Sequence, residues 1–349
     1  MWARTAVVIF NLGGPDRPEA VRPFLFNLFN DPMILRQPAP VRWLLAKFIT
    51  ARRAPVARKI YDRIGGKSPI LPLTWEQAEA LQTILGAADE IRVFVAMRHW
   101  HPLSEECIAD VKTYRADKVI LLPLYPQFST TTTGSFLQVW RAAAQKAGLT
   151  ADTTDVCCYP AQAGFIKGLV RLTREGIEKA AAHGTPRVLF SAHGLPEKFI
   201  AAGDPYRAQV ERTVTATVDA LGLDGLDYVI CYQSRVGPVQ WLRPYTDAEI
   251  IRAGADGVPV VVVPVAFVSE HSETLVELDM DYADLAKDSG VSTYVRVPTV
   301  GTDAMFIEGL AKLVRRALAS DAALISDHGG KQCPDTRAGC PFAAMETRG

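Results

Sequence analysis

Excess charge is missing from this chain. Its 349 residues carry 38 Lys+Arg and 38 Asp+Glu, a net charge of zero. A general nucleic-acid binder usually shows a basic excess, so that class is excluded, whereas a local charged site is not. A long apolar run is missing too. The longest, around Val258–Val268, contains two prolines and is too short to span a bilayer. Nucleotide fingerprints are absent: neither GxGxxG nor GxxxxGK[ST] occurs. The start, MWARTAVVIFNLGGP, has no small-residue cleavage pattern and reads as a strand and a turn rather than a signal peptide. The expectation is a cytoplasmic protein. Cysteine is sparse, with six residues, and disulfides are disfavoured in that compartment. Cys107 and Cys231 lie inside apolar patterns and read as small buried residues.

What is present is ordinary globular material, with 48% hydrophobic and 22% charged residues, enough to fill two cores at this length. Apolar strands alternate with amphipathic helices. Strands are predicted at 6–12, 91–96, 119–124, 154–159, 188–192, 228–232, 260–267 and 293–297. Most are continuous apolar runs, as in parallel sheets covered on both faces. The pattern fits a β/α barrel or two doubly wound sheets. The second is preferred: two Rossmann-like domains, each a four-stranded parallel sheet flanked by helices. Boundaries are placed at 1–165 and 166–302. A helix at 303–319 and a Cys-containing tail at 320–349 follow. Within the first half, residues 30–72 hold no strand and many Pro, Arg and Gly residues, and read as an insertion that covers a cleft. Phe24–Phe48 carries FLFNLF and WLLAKF beside Arg42, Lys47, Arg52 and Arg53. It is either a peripheral membrane contact or a helix packed on its own core or over a pocket.

Ligands of open parallel sheets bind at the carboxyl ends of strands. The strand ends here carry Asn11–Pro15, MRHWHP (97–102), YPQFS (125–129), SAHGLP (191–196) and QSRVGP (233–238) with Trp241 close by. After the seventh strand comes VSEHSETLVELDMDY. It contains Glu270, His271, Glu273, Glu277, Asp279 and Asp281. In an α-helix Glu273 and Glu277 share a face and Asp281 extends the line. His193, with pKa near ~6.5, can take a proton or hold a metal. One histidine facing a line of carboxylates suits a divalent cation that must be held and released. Asp279, Asp281 and Asp284 read equally as a solvated acidic face.

NLGGP (11–15), ARRAPVARKIYDRIGGKSPI (51–70), MRHWHPL (97–103), YPQFSTTTTGS (125–135), SAHGLP (191–196), CYQSRVGPVQWL (231–242) and FVSEHSETLVELD (267–279) together resemble the ferrochelatases, over nearly the whole chain. The resemblance implies two Rossmann-like domains with a porphyrin cleft between them, and a C-terminal helix returning to the first. It implies insertion of Fe2+ into protoporphyrin IX to give protohaem, with release of two protons, as the last step of haem biosynthesis. The alternative is a chelatase of the same fold using coproporphyrin III or another metal. By the same resemblance His193 and Glu273 form the metal site. His271 and Glu277 assist there or lead protons or metal away. Leu12, Arg53, Tyr61, Ser68, Arg98, Tyr232 and Trp241 contact the porphyrin. Some family members hold a [2Fe–2S] cluster on tail cysteines plus one from the body. The tail here offers Cys333 and Cys340, and the body offers Cys158, with Cys157 less suited because neighbours on a strand point apart. Reduced thiols are the other reading. Oligomeric state is left open.

Overall fold

Strands that are apolar throughout must be covered on both faces, and crossover helices supply the cover. A computed structural model describes residues 4–86, 90–333 and 338–346. The chain divides into two compact units, one of residues 1–158 and 310–332, the other of 159–309 and 333–349. The sequence reading put the boundary at 165/166. The backbone instead changes unit before the long helix, which therefore stays in one piece.

The first unit runs β1 (Thr5–Asn11), a short 3-10 turn, α1 (Val21–Phe29), α2 (Ala39–Asp62), α3 (Ile70–Leu85), β2 (Ile91–Met97), α4 (Ser104–Tyr114), β3 (Lys118–Pro123), α5 (Thr133–Ala147) and β4 (Asp152–Val156). Its sheet is wholly parallel, in the order β2-β1-β3-β4, and the short strand Leu324–Ile325 adds to the β4 edge. The tail is therefore partly woven into this sheet. The fourth strand ends at Val156, so Cys157 and Cys158 follow it rather than alternate within it. On one sheet face Phe10 stacks on Phe136 at 3.8 Å, and Phe136 in turn lies against Trp140. The predicted insertion at 30–72 is mostly α2. Its Tyr61 joins Phe24 and Leu25 of α1 and Trp100 in a small separate core.

The second unit runs α6 (Ala163–Ala181), β5 (Arg187–His193), α7 (Glu197–Ala201), α8 (Tyr206–Leu221), β6 (Tyr228–Gln233), α9 (Thr246–Asp256), β7 (Val260–Pro264), a π-helix (Glu273–Asp281), α10 (Tyr282–Asp288), β8 (Tyr294–Arg296), α11 (Ala304–Leu318) and α12 (Pro341–Glu346). Its sheet is parallel, in the order β6-β5-β7-β8. The seventh strand stops at Pro264, although Val265 and Val268 beyond it remain buried. The helix α11 leaves this unit after Gly309 and joins the first at Leu310. Its early half crosses α6 so closely that a Cβ on Gly164 would lie 2.1 Å from the Met305 carbonyl oxygen. Its later half is held by Lys118 Nζ, which donates to the Ala317 carbonyl at 2.9 Å.

Each order has one place where neighbouring strands are left by connections running opposite ways: β1 and β3 in the first unit, β5 and β7 in the second. That switch point opens a crevice at the carboxyl ends. It is why the segments after β5 and β7 can meet.

Phe136→Ala should lower the stability of the first unit by about 3–5 kcal/mol through loss of a buried, stacked ring. Urea denaturation of the full chain checks this.

Candidate active site

The fifth strand is buried along its length until His193, whose side chain is 39% exposed. The turn after it needs Gly194: a Cβ there would sit 2.8 Å from the Gln233 carbonyl oxygen. Tyr206 at the start of α8 donates its hydroxyl to the His193 carbonyl at 3.0 Å. The histidine is thus fixed from two sides before its ring is considered. Across the switch point, the segment after β7 brings Glu273 within reach. His193 Nδ1 lies 2.8 Å from Glu273 Oε2. His271 Nε2 lies 4.0 Å from the same oxygen. Phe267 packs edge-on against His271 at 4.4 Å between centroids, and against His193 at 6.5 Å. Trp241 meets His193 edge-on at 6.4 Å. Tyr232, on β6, is buried.

The carboxylates do not form the line that an α-helix would make. Residues 273–281 are a π-helix, in which the Tyr282 N–H reaches back five residues to the Glu277 carbonyl. A turn then takes more residues than 3.6, so positions four apart fall short of a full turn. The two side chains take different principal partners but stay near enough for the Glu273 charge to act on Glu277. Glu273 turns to His193. Glu277 accepts from the Ser234 N–H at 2.9 Å, from the Ser234 hydroxyl, from the Tyr282 hydroxyl at 3.0 Å and from Gln233 Nε2 at 3.4 Å. Gln233 also donates to the Glu273 carbonyl at 3.1 Å. Ser234 holds φ at 64°, costly for a non-glycine residue, and its two hydrogen bonds to Glu277 offset that cost. Asp281 and Asp284 are exposed, while Asp279 pairs with Arg296.

This arrangement separates the protonation states. Burial disfavours charge on both His193 and Glu273, but each stabilises the charged form of the other. Glu273 is pulled down to about 2, chiefly by His193, and His193 is raised above its ordinary 6.5 by Glu273, with help from Glu277. Below the raised pKa of His193 the pair is imidazolium and carboxylate, and above it neutral imidazole and carboxylate. His271 moves the other way because burial outweighs its acidic neighbours. Glu277 is raised by burial and by the Glu273 charge, against its hydrogen bonds from Ser234 and Tyr282.

The first unit carries the other expected residues. Leu12 follows β1, half-buried, its N–H bonded to the Asn11 side chain at 2.9 Å. Arg98 follows β2. It donates to Asp31 at 2.8 Å and to the Ser135 hydroxyl at 2.7 Å, while Asp31 also accepts from that hydroxyl. Burial lowers the Arg98 pKa against the pull of Asp31. Ser68 is buried, its N–H bonded to the Pro15 carbonyl at 2.7 Å. Tyr61 is buried in the α1–α2 core, and Arg53 is half-exposed on α2.

Cys157, Cys158, Cys333 and Cys340 are all buried. The first two belong to the first unit, with their Sγ atoms 2.9 Å apart, and the last two to the second. Gln209 donates to Cys333 Sγ at 3.2 Å. A [2Fe–2S] cluster takes four thiolates, and neither unit by itself supplies them. Among the described residues no group of three or more His, Cys, Asp or Glu side chains is placed to hold a metal ion.

Sequence reading left out Gln233, Ser234, Tyr282, Phe267, Tyr206 and Asp31 as partners in these sites. Gln233, Ser234 and Phe267 stood inside motifs already singled out. Tyr282 lies five residues after Glu277, a spacing that α-helical reasoning does not pair.

The family model for ferrochelatase matches residues 4–318. A ferrochelatase of Caulobacter vibrioides (strain NA1000 / CB15N) is 49% identical over 98% of both chains. One of Wolbachia sp. subsp. Drosophila simulans (strain wRi) is 52% identical over 89% of this chain and 98% of its own. Among solved structures, a sirohydrochlorin chelatase from Bacillus subtilis subspecies spizizenii in complex with cobalt superposes with a TM-score of 0.54. The match covers 91% of this chain and 97% of that one. At 11% identity it speaks for the fold alone. On the family match and these identities, the chain belongs to the ferrochelatase family.

Proposed function

We propose that the His193–Glu273 pair is the proton- and metal-handling group of a ferrochelatase reaction. Fe2+ is inserted into protoporphyrin IX, protohaem forms and two protons leave, the final step of haem biosynthesis. The 2.8 Å contact between His193 Nδ1 and Glu273 carries the reading. When His193 is neutral, the Glu273 carboxylate keeps the proton on Nδ1. The lone pair is then left on Nε2, where it can take a pyrrole proton or direct the metal. A planar macrocycle buries its nitrogens in its own plane, and distorting it costs energy that remote contacts must supply. For those contacts we assign apolar surfaces at Leu12 and Trp241 and carboxylate partners at Arg53 and Arg98. Tyr61, Ser68 and Tyr232 are buried and act behind these surfaces. Glu277, with its raised pKa and its contacts to Ser234 and Tyr282, is the next acceptor for a proton leaving Glu273. His271, neutral at pH 7, is a second imidazole beside the same carboxylate.

We further assign the protein to the cytoplasm, touching a membrane surface through α2. Val41, Leu44, Leu45 and Phe48 repeat at i, i+3, i+4 and i+7 and are exposed, Leu44 by 62% and Phe48 by 58%. Lys47 lies over Trp43 and Arg52 over Phe48, so cationic heads flank the apolar row. Phe24 and Leu25, by contrast, are core residues. Among the described residues no helix is long and apolar enough to cross a membrane.

Purified protein given Fe2+ and protoporphyrin anaerobically should develop haem absorption. Parallel arms with coproporphyrin, Co2+ and Zn2+ define specificity. His193→Ala should abolish insertion while porphyrin still quenches tryptophan fluorescence; full activity in that variant would refute the assignment. Activity of the parent should rise with pH through a value above 6.5, because the neutral imidazole is needed and the folded pKa is raised. Glu273→Gln removes the larger of the two charges that raise it and leaves only Glu277 against burial, so the residual pH profile should move to lower pH. Leu44→Glu with Phe48→Glu should release the protein from anionic lipid vesicles in a flotation assay and leave activity in detergent unchanged.

A further inference from the structure

A π-helix is rare, usually a single turn, and poorly stable on its own. The nine residues 273–281 therefore need an outside support, and β8 with the turn after it provides one. Arg296 projects from β8 with only 10% of its side chain exposed. Its Nη1 donates to Glu270 Oε1 at 2.6 Å, three residues before the π-helix begins. Its Nε donates to Asp279 Oδ1 at 2.5 Å, and its Nη2 to the other oxygen of Asp279, two residues before the π-helix ends. The Thr299 N–H adds a bond to Glu270 Oε1 at 2.9 Å, and the Tyr294 hydroxyl donates to the Leu278 carbonyl at 2.7 Å.

We infer that Arg296 is a positioning residue: by gripping Glu270 and Asp279 with one guanidinium it holds residues 273–281 in the π form, and so aims Glu273 at His193 and Glu277 at Ser234. This rests on the function proposed above. The reason is geometric. A guanidinium is a rigid planar fork whose donors lie within a few ångströms of one another. Two carboxylates nine positions apart can share it only if the chain between them is wound short. Rewinding those residues as α-helix, with fewer residues per turn and about 1.5 Å of rise each, lengthens the segment and draws Glu270 and Asp279 out of common reach. The same rewinding rotates Glu277 relative to Glu273. Four carboxylates within ten positions would also repel one another. Arg296 neutralises the outer two and leaves the inner two for chemistry. Burial would push Glu270 up, but the Arg296 charge and the bonds from Thr274 and Thr299 hold it below its ordinary value, so that arm stays ionic.

The test uses the full chain with Arg296→Met, Arg296→Lys, Asp279→Asn and Glu270→Gln, and Asp284→Asn as a control on the neighbouring helix. Hydrogen–deuterium exchange reads the backbone directly. Arg296→Met should lose protection at the amides of 278–283, by roughly tenfold or more, with β5 and β7 unchanged. Its kcat should fall roughly 10–100-fold, the range seen when an outer partner of a metal site is removed. KM for porphyrin should stay within about twofold, as expected when a transition-state interaction alone is lost. Arg296→Lys, which keeps the charge but cannot span both carboxylates, should fall between Met and the parent. If Arg296→Met does not fold, Asp279→Asn and Glu270→Gln each remove one arm and should show the same local pattern. Unchanged protection at 278–283, or a uniform loss over the whole second unit, overturns the inference. A parent protein without insertion activity would refute the function and leave the exchange result to decide the clamp separately.

Discussion

A partly buried carboxylate hydrogen-bonded to a histidine is the constraint on which this site depends. Burial disfavours charge on both Glu273 and His193, and each supplies a field that offsets the other's desolvation. That single pairing sets the states around it. It makes a second ionised carboxylate costly, so Glu277 is pushed toward its protonated form and needs hydrogen bonds from Ser234 and Tyr282 to hold its place. It leaves His271, which shares the same carboxylate at greater distance, to be governed by burial. Groups of one chemical type are driven apart in pKa by their surroundings, which is how acid and base roles are separated at one pH.

The pairing exists because of topology. His193 ends β5 and Glu273 follows β7, and these strands are neighbours although β6 lies between them in sequence. Glycine at 194 lets the backbone turn against Gln233. The π-helix then brings Tyr282, five positions on, to the Glu277 carboxylate. Each device is local, and each would be pointless without the switch point that brings the two strand ends together.

Much of this could be read in the residues. Strand ends are recognisable because parallel strands are apolar until they stop. His193 stood out as a polar residue at such an end, followed by Gly and Pro. Glu273 and Glu277 stood out as charges interleaved with Leu275, Val276 and Leu278. The pairing of Glu277 with Tyr282 was not legible, since the 3.6-residue period assumed for the segment is the wrong one. Asp279 reads as solvated surface by pattern, yet it is gripped by Arg296 from seventeen positions away. Tyr61 and Ser68 sit in motifs that imply contact with the macrocycle, but both are buried by neighbours that no local pattern reveals. The apolar stretch 24–48 splits, α1 into a core and α2 outward, because only one of two adjacent amphipathic helices finds a partner for its apolar row.

The amino-acid sequence by itself determined the alternation of strands and helices, the parallel character of the sheets, the family and the residue types at each strand end. These follow from hydrophobic period and short-range motifs, which act within a few residues. Tertiary structure alone decided which strand ends are neighbours, the opposite pKa shifts of His193 and Glu273, and the π form of 273–281. Those depend on strand order, on burial and on a guanidinium reaching in from β8, all of them interactions between residues far apart in the chain.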